Sequence, residues 1–194
     1  MKDEEKCASR FFWGGRMHLT RRSSATTFSS AQRHSPSSFI LPPSSFPVMR
    51  WHVFAIGKPK LDFARLGVEE YAARLKPFAP VQIEYLKAPD RAGESRVLLE
   101  RSKGMWRVVL DERGDHVSSR ELAKKFEGWE QHGPRDFALL IGGADGHTDE
   151  LRQAAGWTWS LSKLTLQHEL ALVLTLEQLY RAYTIKAGLP YHRD

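Results

Sequence analysis

From Trp51 onward the chain alternates short apolar runs with amphipathic stretches, and this alternation most limits what it can fold into. Trp51 to Ile56 reads as a strand ended by Gly57. Asp62 to Lys76 has helical spacing, with Phe63, Leu66, Tyr71 and Leu75 expected to face inward and Pro77 as the stop. Val81 to Leu86 reads as a strand, and Gly93 to Lys103 as a helix presenting Val97, Leu98 and Leu99. Trp106 to Leu110 is expected to be a buried strand. Ser118 or Ser119 should cap a helix that runs to His132 and ends at Gly133-Pro134. Phe137 to Ile141 is the most hydrophobic strand, Asp149 to Ala154 a short helix, and Trp157 to Leu161 a further strand. Glu169 to Lys186 is the last long helix, stopped by Gly188 and Pro190. Strands alternating with helices in this way predict an α/β domain with a mostly parallel sheet. Trp51, Trp106 and Trp129 are expected in the core, and Trp157 and Trp159 in the core or packed on a loop.

Residues 1–48 have a different character. They hold seven Lys/Arg against three Asp/Glu, no acidic residue follows Glu5 until Asp62, and Ser, Thr, Arg and Pro dominate. Such a stretch buries too little apolar surface to offset its ordering entropy, so disorder is expected. Two origins suit it: an upstream extension of a protein whose translation starts at Met49, or an Arg- and Ser-rich targeting segment. The acidic Asp3-Glu4-Glu5 argues against the second, and a cytoplasmic location is expected unless the segment is a transit peptide. Residues 49–194 hold 22 Lys/Arg and 20 Asp/Glu, a net charge of +2. A body this close to neutral would bind nucleic acid through a local patch rather than bulk charge. The single cysteine, Cys7, excludes a disulfide within the chain and a cysteine-rich metal site. No apolar run approaches the roughly 20 residues that span a bilayer.

The chemistry-bearing residues cluster in the last third. Ile141-Gly142-Gly143-Ala144-Asp145-Gly146 follows a buried strand and precedes a short helix. Glycines there permit positive φ and let a ligand lie against the backbone. Ligands of open α/β sheets bind beyond the carboxyl ends of strands. The run is not a P-loop, since no Gly-Lys-Ser/Thr follows, and it lacks the spacing of a dinucleotide fingerprint. Leu110-Asp111-Glu112-Arg113-Gly114 ends another strand, and alone it reads as a solvated turn. Leu161-Ser162-Lys163-Leu164-Thr165-Leu166, followed by Gln167-His168, is rich enough in small polar and apolar residues to wrap an adenine with backbone groups. Glu177-Gln178-Leu179-Tyr180-Arg181-Ala182 lies on the last helix, and Tyr191-His192-Arg193-Asp194 closes the chain. No Cys/His/Asp cluster has metal-ligand spacing, so no metal is expected.

Taken together and in this order, these motifs resemble the small RNA methyltransferases of the SPOUT class, and within them the RlmH family. The resemblance extends from Met49 to Asp194. It implies S-adenosyl-L-methionine as methyl donor and N3 of a pseudouridine in large-subunit (23S) ribosomal RNA as acceptor, modified on the ribosome. It implies a C-terminal trefoil knot and a homodimer with a composite site. Leu110, Gly142, Gly143, Gly146 and the run Leu161, Ser162, Lys163, Leu164, Thr165 and Leu166 would flank the cofactor. His192 would take the N3 proton, Tyr191 would stack on the base, and Arg181 and Arg193 would hold phosphate or carbonyl oxygens. His168 is a further candidate at the edge of the cofactor loop. Gln167 stands where the family pattern often has proline. The alternative reading is a non-catalytic RNA- or ribosome-binding protein that retains the fold.

Overall fold

Five strands and five helices alternate strictly in the computed structural model, which describes residues 49–193. The expectations for residues 1–48, Cys7 among them, lie outside the described residues. Strands β1 (Arg50–Ile56), β2 (Val81–Leu86), β3 (Trp106–His116), β4 (Asp136–Ile141) and β5 (Trp157–Ser160) form one sheet in the order β2-β1-β4-β3-β5. Every pairing is parallel. Helices α1 (Asp62–Leu75), α2 (Arg91–Arg101), α3 (Ser119–His132), α4 (Asp149–Gln153) and α5 (His168–Lys186) make the connections and the C-terminal layer.

Period-two alternation in the strands divides the core between two faces. Trp51, Val53, Val108, Phe137, Leu139, Ile141 and Trp157 point to one face, where they meet Leu75 of α1, Phe126 of α3 and Leu176 and Leu179 of α5. Phe54, Ile56, Val109, Ala138 and Leu140 point to the other, against Leu98 of α2 and Leu151 of α4. The first face carries the heavier burial. Trp51 is 1% exposed, stacks within 5.0–5.3 Å of Phe126 and Phe137, and donates its indole N–H to the Tyr183 hydroxyl at 3.0 Å. A fully buried large apolar side chain contributes about 1.5–3 kcal/mol. The tryptophans expected in the core are there, with Trp106 and Trp129 only partly buried at its margin.

Two local features depart from the sequence reading. Strand β3 continues past Leu110 to His116. Its first part pairs with β4 and β5, and after a register shift Asp115 and His116 pair with β5 alone. Residues 111–114 therefore form an excursion, which a charged sequence disguises as a simple turn. Gly114 lets that excursion close on β5, since a Cβ there would lie 2.7 Å from the Thr158 backbone. On α1, Phe63 and Leu66 were expected inside but are 55% and 60% exposed, whereas Ala64 and Val68 are buried. The close approach of α5 sets that face: a Cβ on Gly67 would meet Val173 at 2.8 Å, so small residues lie between the helices.

Candidate functional site

The carboxyl ends of β3, β4 and β5 and the start of α5 enclose a cleft of about 460 Å³. That volume is in the range of small-molecule sites, roughly 300–1,000 Å³. Three segments distant in sequence line it: residues 110–113, residues 141–147, and much of 159–168. Leu110, Ile141, Leu161, Leu166 and Ala171 give it apolar walls, and backbone groups of the two loops give it a polar rim. Of the expected cofactor residues, Leu110, Gly142, Gly143, Gly146, Leu161, Ser162, Leu164, Thr165 and Leu166 all line this cleft. Lys163 is exposed and does not. His168 does, and it also borders a second recess.

The glycine loop is built differently from what its composition suggests. Only Gly146 takes positive φ, at +67°. Gly142 and Gly143 are needed because side chains crowd them from behind. A Cβ on Gly142 would lie 2.8 Å from the His147 imidazole, and one on Gly143 would lie 2.7 Å from the Glu94 carboxylate. His147 is 2% exposed, and its Nε2–H donates to the Leu110 carbonyl at 3.0 Å, which ties the glycine loop to the end of β3. That bond fixes the tautomer and leaves Nδ1 buried without a hydrogen-bond partner among the described residues. Burial pushes the imidazole pKa below its ordinary value, against the pull of nearby Asp111. The His147 carbonyl in turn accepts from Arg91 at 2.6 and 3.0 Å and from Arg152 at 2.5 Å. Arg152 also pairs with the buried Asp111 carboxylate at 3.2 Å, so one guanidinium clamps both strand ends.

Glu94 supports the loop from α2. Burial first, and then the Asp145 charge, raise its pKa above the ordinary carboxylate value, opposed by the Gly143 amide and His168. Sequence reasoning missed Glu94, His147, Arg91 and Arg152. His147 follows the loop directly, but a lone histidine gives no signal. Glu94 is about fifty residues upstream on a polar helix that no spacing rule links to the loop.

The C-terminal residues form a second cluster. The Tyr191 hydroxyl donates to Glu177 Oε1 at 3.0 Å and lies 3.3 Å from the Tyr71 hydroxyl. Its ring packs edge-on against Tyr180 at 4.8 Å. Arg181 is bound to Glu177 at 2.5 and 3.0 Å, covers the Tyr191 ring at 4.7 Å, and lies 3.5 Å from His192 Nδ1. Burial, and then Tyr71 and Glu177, raise the Tyr191 pKa, so its hydroxyl stays protonated. Arg193 is exposed. This cluster brings Tyr191, His192 and Arg181 together but does not join the cleft of its own chain. His168 borders the cleft, and Arg181 is 13 residues along the same helix, about 20 Å away at 1.5 Å per residue.

Among the described residues no group of three or more His, Cys, Asp and Glu side chains is placed to hold a metal ion, and no helix is long and apolar enough to cross a membrane.

Comparison with known proteins converges on the same segment. A family described as "Predicted SPOUT methyltransferase" matches residues 49–192. The ribosomal RNA large subunit methyltransferase H of Thermus thermophilus is 49% identical over 145 residues, which cover 75% of this chain and 99% of that protein. The protein of the same name from Deinococcus deserti is 44% identical over 75% of this chain and 100% of its own length. The one from Delftia acidovorans is 37% identical over the same shares.

Proposed function

This chain belongs to the SPOUT methyltransferases, in the ribosomal RNA large subunit methyltransferase H family, and on that premise we propose that it methylates N3 of a pseudouridine in large-subunit (23S) ribosomal RNA, using S-adenosyl-L-methionine and acting on the ribosome. The observation that carries the reading is the cleft itself. Three strand-end segments that the family pattern assigns to the methyl donor are brought to one place at the carboxyl edge of a parallel sheet.

The cleft suits the cofactor by size and by lining. Leu110, Leu161, Leu166 and Ile141 would enclose the adenine, and the backbone of residues 142–146 and 161–166 would hold its polar edges. When bound, S-adenosyl-L-methionine supplies a methyl group made electrophilic by its sulfonium, gives it up to N3 and leaves as S-adenosyl-L-homocysteine. The protein's part is positional. It would orient the acceptor nitrogen against that methyl, and such orientation is the main source of rate in a displacement of this kind. His192 would take the N3 proton. Tyr191 stacks on the base. Arg193 holds a phosphate or carbonyl oxygen. Arg181 acts mainly through its Glu177 pair, which fixes the Tyr191 hydroxyl.

The separation of tail and cleft supports a homodimer in which the tail of one chain completes the cleft of the other. The exposed Phe63 and Leu66 on α1 offer apolar surface for such a contact. The threaded C-terminal knot belongs to the same reading. The segment after β5 crosses the strand ends, passes beside the β3 excursion where Thr165 meets Glu112 at 3.4 Å, and enters α5 beside Gly57. A ribosomal substrate fits a cytoplasmic location, or an organellar one if residues 1–48 are a transit peptide.

The test uses protein begun at Met49. Calorimetry should show S-adenosyl-L-methionine binding, and labelled methyl should pass to isolated large subunits. Gly142→Val, which drives a side chain into His147, should abolish both. Cofactor binding without transfer to any ribosomal particle would overturn the assigned substrate.

A further inference from the structure

Beside the cofactor cleft, and sharing His168 with it, lies a second recess at the carboxyl ends of β1 and β2. Its rim carries Lys58, Lys60 and Lys87, all exposed. We propose that these three lysines form a seat for RNA backbone phosphate, which delivers the target nucleotide to the neighbouring cleft; this rests on the methyltransferase reading above.

The fold groups the three cations. Ile56 and Leu86 are register partners in adjacent parallel strands, and Gly57 donates to the Leu86 carbonyl at 2.9 Å. Strands so paired are about 4.8 Å apart, so Lys58 and Lys87 leave the sheet side by side. Gly57, at φ +80°, turns the chain, and Glu169 anchors the next few residues by accepting from the Lys60 and Leu61 amides at 3.0 and 2.9 Å. That anchoring holds the lysine loop against the first turn of α5, next to His168.

The patch is not neutralised by carboxylates among the described residues, as Lys76, Lys103 and Lys163 elsewhere are not, and what distinguishes it is that three such cations share one recess beside the cleft. Arg50, Arg65, Arg74, Arg101, Arg152 and Arg181 are all matched by carboxylates. Lys58, Lys60 and Lys87 have no ion pair among the described residues. Three lysines against the single Glu169 carboxylate leave the recess positive, in a body whose net charge is only +2. Lysine is a flexible point charge, suited to a phosphate contact that positions a strand without reading its sequence. The patch borders the place where a methyl group would be transferred, so a phosphate held there fixes how far the base can reach.

The experiment compares the full chain with the triple variant Lys58→Gln, Lys60→Gln, Lys87→Gln, and with Lys103→Gln, an exposed lysine in the turn before β3, at the amino ends of the strands. Cofactor binding is measured by calorimetry, and methyl transfer to large subunits is measured across a KCl series. The triple variant should bind cofactor as the wild type does and keep kcat within about twofold, while KM rises about tenfold. Its log–log salt slope should fall by about two units, from three lost contacts at roughly 0.7 each. Lys103→Gln should match the wild type. An unchanged KM and salt slope in the triple variant would overturn the seat. If the wild type transfers no methyl, the enzymatic reading fails separately. Co-sedimentation with ribosomes over the same salt series then decides the patch: weakened binding by the triple variant supports it, and retained binding overturns it.

Discussion

Gly142 and Gly143 have no room for a side chain, because His147 and Glu94 already occupy the space behind them. The glycine loop therefore depends on two ionisable groups packed against its backbone. His147 is buried neutral, with its pKa lowered by that burial. The unfolded chain, with an ordinary imidazole near pH 6.5, takes up a proton that the folded state refuses. The contribution is intact above that pH and is lost progressively as pH falls below it toward the lowered native value. Urea unfolding at pH 7.5, 6.5 and 5.5 should show the wild type losing stability in this window, and His147→Gln should show a shallower loss. Parallel pH profiles for the two proteins would refute the assignment. The glycines themselves were legible as a loop, but their reason was not. Sequence suggested freedom of φ, and only Gly146 uses it, because crowding by residues five and about fifty positions away leaves no trace in local spacing.

At the scale of elements, the sequence was read most accurately where a local interaction sets the boundary. Helix α3 begins after Ser118, whose hydroxyl accepts from the Glu121 amide at 3.3 Å, while the Glu121 carboxylate accepts from the Ser118 amide at 2.7 Å. Each group satisfies a donor that the first helical turn leaves open. Ser118→Ala removes one half of this exchange and should cost about 1 kcal/mol in equilibrium urea unfolding. A loss indistinguishable from zero would show that α3 is held by Leu122 and Phe126 alone. Elements defined by tertiary contact were harder to read. Asp111 to His116 looks like a hydrophilic turn, yet it extends β3, because β5 offers it an edge that lies more than forty residues downstream. The inner face of α1 was misjudged for a similar reason. Periodicity favours the largest apolar side chains, but the partner α5 comes too close for them and selects Ala64, Gly67 and Val68.

At the scale of the whole molecule, alternating strands and helices were enough to predict a parallel α/β sheet, and the ends of its strands coincide with a cleft. The strand order and the proposed joining of cleft to tail have no periodic signature. His168 at the cleft and Arg181 beside the tail lie on α5, about 20 Å apart by helical rise, and His192 does not line the cleft of its own chain. In a two-fold dimer the tail of each chain would complete the cleft of its partner. Subunit mixing tests this directly. Gly142→Val disables the cleft, and His192→Ala disables the tail. Homodimers of either variant should be inactive. A mixed dimer contains one site with both defects and one with neither, so mixed dimers isolated through two different tags should recover about half of wild-type activity, one site of two. If each chain carried a complete site, every site in the mixture would hold one defect, and mixing would restore nothing.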